Sequence, residues 1–354
     1  MWVAQPGPMT IQRIVVCEAQ VPFVRGGAEY LVRSLVTALR ERGYDTELIS
    51  LPFKWYPTDE LLAHAAAWHL IDLSESNGRS IDLVIASKFP TYFVRHPRKV
   101  VWLLHQYRAA YELCGTDYSE FTHTEADVAL RETLIRLDGE TLRECRQVFT
   151  ISRNIAARLH KYNGLEGQTL YPPSPFTGRI EAGRYGDYVL MVGRLEAVKR
   201  PDLVVRAMTH VDRPIRLVVA GDGTKRQETE ALAESLGLSD RIDFRGAVEE
   251  RELLDLYRDA LAVVYTPFDE DYGYVTVEAF LAGKPVITVT DAGGPLEFVE
   301  HRVNGFICEP APEALADAIN QLSGDRVRAA SLGRAGFERT RSITWDGVIS
   351  RLLE

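Results

Sequence analysis

The run Pro267-Phe268-Asp269-Glu270-Asp271-Tyr272-Gly273-Tyr274-Val275-Thr276-Val277-Glu278-Ala279-Phe280 sets two glutamates on either side of a glycine, directly after the apolar stretch Ala262-Val263-Val264-Tyr265. Where a parallel strand feeds a loop and then a helix, the loop N–H groups and the helix N-terminus face the carboxyl end of the strand and favour an anion there. A helix starting near Thr276 puts the N–H groups of Tyr274 and Val275 at its positive end. Gly273 then lets a phosphate approach the backbone with no side chain between them. A diphosphate fits. Glu278 falls in the first helical turn, where a carboxylate can accept hydrogen bonds from vicinal hydroxyls such as those of a ribose. Glu270, ahead of the turn, can reach a different sugar.

The elements that must position these residues alternate between strand and helix. Ile14-Val15-Val16-Cys17 reads as a strand, Gly26-Gly27-Ala28-Glu29 as a loop, and Tyr30, Leu31, Ser34, Leu35, Ala38 and Leu39 as one face of a helix that Gly43 stops. Thr46 to Leu51 supplies the next strand, which implies a parallel pair with a right-handed crossover. Leu83 to Ala86, Val100 to Leu104 and Val148 to Ile151 continue the series, and Ser152 caps a helix through Ile155, Leu159 and Tyr162. Pro172-Pro173-Ser174-Pro175, followed by Gly178, Gly183 and Gly186, suits a stiff linker. After it the alternation restarts, with strands at Tyr188 to Val192, Ile215 to Ala220, Ile242 to Phe244, Ala262 to Tyr265 and Pro285 to Thr288. Helices are expected around 201–208, 225–236, 253–257 and 277–281. No internal repeat links the halves. The expected organisation is a doubly wound parallel-sheet domain over 1–173, a second over 174–340, and an amphipathic segment over 341–354 that packs back on the first.

Bulk properties narrow the function classes. The 354 residues are too many for one ordinary core and suit two α/β domains; 46% hydrophobic and 26% charged residues exclude disordered and fibrous classes. A net charge of −9 argues against a broad nucleic-acid-binding face. Cys17, Cys114, Cys145 and Cys308 lack metal spacing and read as buried free thiols. Met1 to Met9 is polar and proline-bearing, and no apolar run reaches the length that spans a bilayer. A soluble cytoplasmic enzyme is expected, with peripheral contact at the inner membrane face left open.

With these residues in view, the 267–280 segment resembles the E-x7-E signature of glycosyltransferase family 4, also called glycosyltransferase group 1, Glu270 and Glu278 being its two glutamates. Val192-Gly193-Arg194-Leu195-Glu196-Ala197-Val198-Lys199-Arg200-Pro201 is similar to the family's G-R-L-x-x-x-K-G element, which implies that Arg194 and Lys199 bind the donor diphosphate. Arg200 stands where the family often has glycine and is expected to add a cation. Gly221-Asp222-Gly223 resembles the family's strand-end G-x-G, and Gly246-Ala247-Val248 the loop whose backbone receives the base, so Gly221 and Val248 become substrate-binding candidates. Gly26 and Gly27 match the G-G-x-E loop that closes over the diphosphate. His105 matches the histidine that contacts the transferred sugar, and Gly293-Gly294-Pro295-Leu296-Glu297 the G-G-x-x-E turn.

The resemblance implies two facing Rossmann-like domains (GT-B) and transfer of a hexose with retention at the anomeric carbon, serving polysaccharide or glycoconjugate synthesis. The donor is expected to be a nucleotide-diphosphate sugar, GDP-mannose or a UDP-hexose. The acceptor is expected to be a saccharide, lipid-linked or small-molecule hydroxyl. No cofactor and no metal are expected, because two cations beside a helix N-terminus can stabilise the departing diphosphate. Arg194, Lys199, Glu270 and His105 are the catalytic candidates; Gly26, Gly27, Gly221, Val248, Gly273, Tyr274, Val275 and Glu278 are the substrate-binding ones.

Rival readings attach to the same residues. Asp269-Glu270-Asp271 imitates a D-x-D metal motif, which belongs to a different, single-domain architecture. His105 alone could be a satisfied core histidine. Trp55, Tyr56, Tyr107 and Tyr111 could line an acceptor groove or pack in the core, and Arg95-His96-Pro97-Arg98-Lys99 reads as a solvated turn. A nicotinamide-dependent oxidoreductase would show G-x-G-x-x-G after the first strand, and the chain lacks it. An epimerase or phosphorylase of the same fold, and a sugar-nucleotide-binding protein without catalysis, remain as alternatives.

Overall fold

The computed structural model describes residues 11–24, 26–212 and 214–354; the Met1 to Met9 stretch lies outside them. The chain divides into two compact units between Pro172 and Pro173, inside the proline cluster, and Trp345–Glu354 belongs with the first.

The first unit runs β1 (Arg13–Gln20), α1 (Gly27–Glu41), β2 (Asp45–Pro52), α2 (Glu60–Leu70), a short antiparallel hairpin β3 (Glu75–Ser76) and β4 (Arg79–Ser80), β5 (Leu83–Ala86), β6 (Lys99–Leu103), α3 (Glu125–Arg143), β7 (Gln147–Thr150), α4 (Arg153–Asn163) and β8 (Gln168–Thr169). Its main sheet has the order β2-β1-β5-β6-β7-β8, with every pair parallel. The chain builds outward from β1 to β2 and then resumes on the other side of β1, so a topological switch point lies between β1 and β5. β5 and β6 are buried along their whole length, as a strand covered on both faces must be. α1 presents Leu31, Val32, Leu35, Val36, Ala38 and Leu39 to the core.

The second unit runs β9 (Tyr188–Val192), α5 (Pro201–Ala207), β10 (Arg216–Ala220), α6 (Arg226–Ser235), β11 (Ile242–Gly246), α7 (Glu250–Asp259), β12 (Ala262–Val264), α8 (Tyr274–Leu281), β13 (Val286–Val289), β14 (Gly305–Cys308), α9 (Pro312–Gly324) and α10 (Arg326–Thr340). Its sheet order is β11-β10-β9-β12-β13-β14, again all parallel, with the switch point between β9 and β12. α8 is buried from Val275 to Leu281, as expected of a helix apolar on all sides. Two glycines of α10 make room for it. A Cβ on Gly333 would meet the Gly283 carbonyl oxygen at 1.7 Å, and one on Gly336 would meet the Phe280 ring at 2.1 Å.

The last helix, α11 (Trp345–Leu353), is part of the first unit. It buries Val348, Ile349 and Leu352, each contributing about 1.5–3 kcal/mol. Trp345 meets the Trp102 ring edge-on at 6.1 Å, and Arg42 Nε donates to Asp346 at 2.9 Å. Among the described residues no helix is long and apolar enough to cross a membrane. Of the cysteines only Cys17 is buried; Cys114, Cys145 and Cys308 are half-buried, which corrects the expectation of four buried thiols.

Candidate functional site

In the second unit the crevice marked by the switch point opens at the carboxyl ends of β9 and β12. Three glycine turns close its floor. Gly193 N–H donates to the Ala220 carbonyl at 3.1 Å, and Gly221 N–H to the Gly246 carbonyl at 2.7 Å. A Cβ on Gly221, whose φ is +153°, would lie 1.9 Å from the Gly193 carbonyl oxygen, so no other residue fits. The candidates at the ends of β9, β10 and β11 are thereby brought side by side, with half-buried Val248 two residues beyond Gly246. Arg194, first after Gly193, is exposed and has no side-chain hydrogen bond or ion pair among the described residues.

Lys199 ends a single 3-10 turn, Ala197–Lys199, and its Nζ is paired with the Glu270 carboxylate and lies 3.1 Å from the Tyr265 hydroxyl. Lysine and glutamate side chains are 16% and 15% exposed, enough for a ligand to reach them and little enough for their charges to count. The sequence motifs named both residues but not their contact. Burial holds the Tyr265 phenol well above its ordinary range, with Glu270 adding to the shift, so this hydroxyl stays a neutral donor.

Arg200 corrects an expectation. It does not add a cation to the crevice: its guanidinium binds both oxygens of Asp291 at 2.9 and 2.6 Å and the carbonyls of Thr266 and Pro267 at 2.9 and 2.7 Å. Its backbone sits at φ 51°, in the left-handed region where glycine is easiest, so the arginine accepts local strain and in return staples the loop after β12 to the end of β13.

That loop is clamped further by the Gly293–Glu297 turn. Glu270 N–H donates to the Ala292 carbonyl at 2.8 Å, and Gly294 N–H to the Glu270 carbonyl at 2.7 Å. A Cβ on Gly294 would stand 2.8 Å from the Asp271 carbonyl oxygen. Gly273, at φ 83°, caps α8, which begins at Tyr274 and not near Thr276. Tyr274 and Val275 are therefore its first two residues, whose N–H groups have no partner inside the helix. Thr276 N–H already bonds to the Gly273 carbonyl at 2.9 Å.

With the earlier start Glu278 is the fifth residue of the helix, at the beginning of its second turn. The residue is 7% exposed. The Tyr257 hydroxyl donates to its Oε2 at 2.8 Å and the Ser174 hydroxyl lies 3.4 Å from Oε1. Burial pushes its carboxyl up to about 7, against the pull of these two hydrogen bonds. Motif spacing alone did not reveal Tyr257 or Ser174, because neither is near Glu278 in the chain.

In the first unit Gly26 and Gly27 follow β1 and His105 follows β6, the strands on either side of β5. Gly26 N–H donates to Glu29 Oε2 at 2.9 Å, and Glu29 Oε1 receives the Lys88 ammonium at 2.9 Å, both side chains being buried. Lys88 stands two residues past β5, and the next residue, Phe89, donates its N–H to the His105 carbonyl at 3.3 Å. The glycine loop and the histidine are thus joined through a lysine that no motif signalled. His105 is half-buried with Nδ1 2.6 Å from the Gln106 carbonyl oxygen, a contact that requires a proton on Nδ1. Tyr111 is a core residue, donating to buried Asp138 at 2.6 Å, whereas Tyr56 is 59% exposed.

Two crevices at strand carboxyl ends, one carrying a lysine, an arginine and a helix N-terminus, are suited to holding an anion with a sugar attached. Residues 183–339 match the family model described as glycosyl transferases group 1. That match lies within the second unit, which is similar to the family over those residues. Among similar proteins, the D-inositol 3-phosphate glycosyltransferase of Xylanimonas cellulosilytica is 34% identical over 204 residues, 54% of this chain and 49% of that protein. The alpha-1,3/1,6-mannosyltransferase ALG2 of Homo sapiens is 29% identical over 169 residues, 43% of this chain and 40% of that one. The chain thus spans about half the length of the curated relatives it matches. Among solved structures, the sucrose-phosphate synthase from Thermosynechococcus elongatus has a TM-score of 0.73 at 20% identity, covering 96% of this chain and 97% of that one. Anabaena HepE in complex with UDP and glucose has a TM-score of 0.71 at 18% identity, covering 97% and 99%. These likenesses show the GT-B fold.

Proposed function

We propose that the chain is a retaining hexosyltransferase that moves a hexose from a nucleotide-diphosphate sugar to a hydroxyl acceptor in the assembly of a polysaccharide or glycoconjugate, without a metal ion. The observation that carries this reading is the convergence of Lys199, Glu270, Tyr265 and the Gly273-capped start of α8 at the switch point of the second sheet. A leaving nucleoside diphosphate gains charge as its bond to the sugar breaks, and Lys199, Arg194 and the Tyr274 and Val275 N–H groups meet that charge where it develops.

The sugar C1–O bond to the diphosphate breaks and a bond from the acceptor oxygen to C1 forms on the same face. The acceptor proton passes to the departing phosphate oxygen. Within the second unit, Glu270 orients the hexose and Glu278 holds the ribose. The names of similar proteins favour two donor classes: HepE was crystallised with UDP-glucose and ALG2 is a mannosyltransferase, which supports a UDP-hexose or GDP-mannose here.

A thermal-shift panel of UDP, GDP, ADP, UDP-glucose and GDP-mannose tests this reading, since a ligand that binds only the folded state raises Tm with its concentration. One base is expected to stabilise the chain, and anomeric analysis of a glycosylated acceptor is expected to show retention. No shift with any nucleotide, or a product that is an epimerised donor, would overturn the assignment.

A further inference from the structure

Glu278 is a buried carboxylate surrounded by hydroxyl groups. Tyr257 of α7 and Ser174 ahead of β9 are bonded to it, Tyr265 past β12 and Tyr274 of its own helix face it, and no cation among the described residues does. The two donors are themselves fixed. Tyr257 is 0% exposed, and the Ser174 oxygen accepts the Phe176 N–H at 3.1 Å. An ionised carboxylate offers about four lone-pair sites, so with one used on each oxygen it can still accept two vicinal hydroxyls. A protonated carboxyl loses one of those sites, and its remaining hydrogen bonds lose their charge assistance.

We infer that Tyr257 and Ser174 are positioning residues that aim Glu278 at the donor ribose, and that the ribose contribution to donor affinity is present in alkaline solution and lost in acid. The inference rests on the reading of Glu278 as the ribose residue. Burial places the titration of Glu278 at about 7, so the carboxylate is ionised above that pH and neutral below it. The Tyr257 hydrogen bond favours the ionised form, so its removal raises the pH at which the ribose contribution disappears.

The experiment is titration calorimetry on the full chain, from pH 5.5 to 8.5, with UDP and GDP and with their 2′,3′-dideoxy counterparts. The diphosphate titrates in the same range, but its effect cancels in the ratio of dideoxy to ribo Kd. That ratio is expected to be about tenfold at pH 8.5 and to approach one at pH 5.5. In Tyr257→Phe the fall in the ratio is expected at higher pH; a merely structural role would weaken both nucleotides equally at every pH. Ser174→Ala provides the same measurement if the phenylalanine variant does not fold. A ratio that is flat with pH, or equal to one at pH 8.5, overturns the inference and leaves the donor reading standing. Failure of every nucleoside diphosphate to bind overturns both.

Discussion

Lys199 and Glu270, 71 residues apart in the chain, form an ion pair whose lysine also meets the Tyr265 hydroxyl at 3.1 Å. A diphosphate entering the second crevice has to share that lysine with the glutamate, so the pair presets the ammonium where charge develops. Lys199→Ala is expected to lower kcat by about 10² to 10³ while leaving Tm close to that of the parent, because the interaction it removes grows in the transition state. Turnover within a few fold of the parent, measured at saturating donor, would sink the role assigned to Lys199.

Two neighbouring arginines should behave in opposite ways. Arg194 is exposed and without a partner among the described residues, so Arg194→Ala is expected to change stability by less than about 0.5 kcal/mol and to raise donor KM in a salt-dependent manner. Arg200 holds Asp291 and two carbonyls, so Arg200→Gly relieves the strained φ but removes the staple. A net loss of about 1–3 kcal/mol is expected, with kcat per folded molecule retained. Urea unfolding and steady-state kinetics on both variants check the contrast. A stable but inactive Arg200→Gly would show that this residue acts on the donor and not only as a staple.

Lys88 and Glu29 tie the glycine loop to the end of β5. Lys88→Met leaves the Glu29 carboxylate buried without its cation and is expected to cost about 3 kcal/mol, since breaking a buried pair by removing one partner strands the other charge. Replacing both, as Lys88→Met with Glu29→Leu, is expected to recover most of that stability but not the activity, because the Gly26 N–H remains untethered. Full activity in the double variant would show that the loop does not depend on this pair.

Asp138 is 0% exposed, and burial raises its carboxyl to about 7 against the hydrogen bond from Tyr111. A folded-state value above the unfolded one means that this group's contribution to stability is complete below about pH 4 and is lost as pH rises through about 7. Asp138→Asn is expected to flatten the decline in unfolding free energy over that window, removing a slope of up to about 1.4 kcal/mol per pH unit. Parallel slopes for parent and variant in denaturant titrations would show that Asp138 is not the group responsible.

The sequence by itself determined the alternation of β-branched strands with helices, the proline-rich junction and the glycine turns at the strand ends, because each rests on a short local pattern. It also brought forward Glu270, Glu278, Arg194, Lys199 and His105, whose spacing follows the loops that carry them. α2 escaped notice, and α3 was expected only as helical patterning without bounds after the strand Val100 to Leu104, for physical reasons. α3 buries Leu134, Asp138, Gly139, Thr141 and Leu142, too polar a stripe to read as a helix face, and α2 is apolar beyond the face it buries. What only the tertiary structure decided is who meets whom: Lys199 with Glu270, Arg200 with Asp291 and not with a ligand, Tyr257 with Glu278, and Lys88 with Glu29. Those pairings depend on the strand orders β2-β1-β5 and β11-β10-β9-β12, which place the ends of non-consecutive strands side by side. Strand order is settled by the packing of the whole sheet, and no local pattern of residues records it.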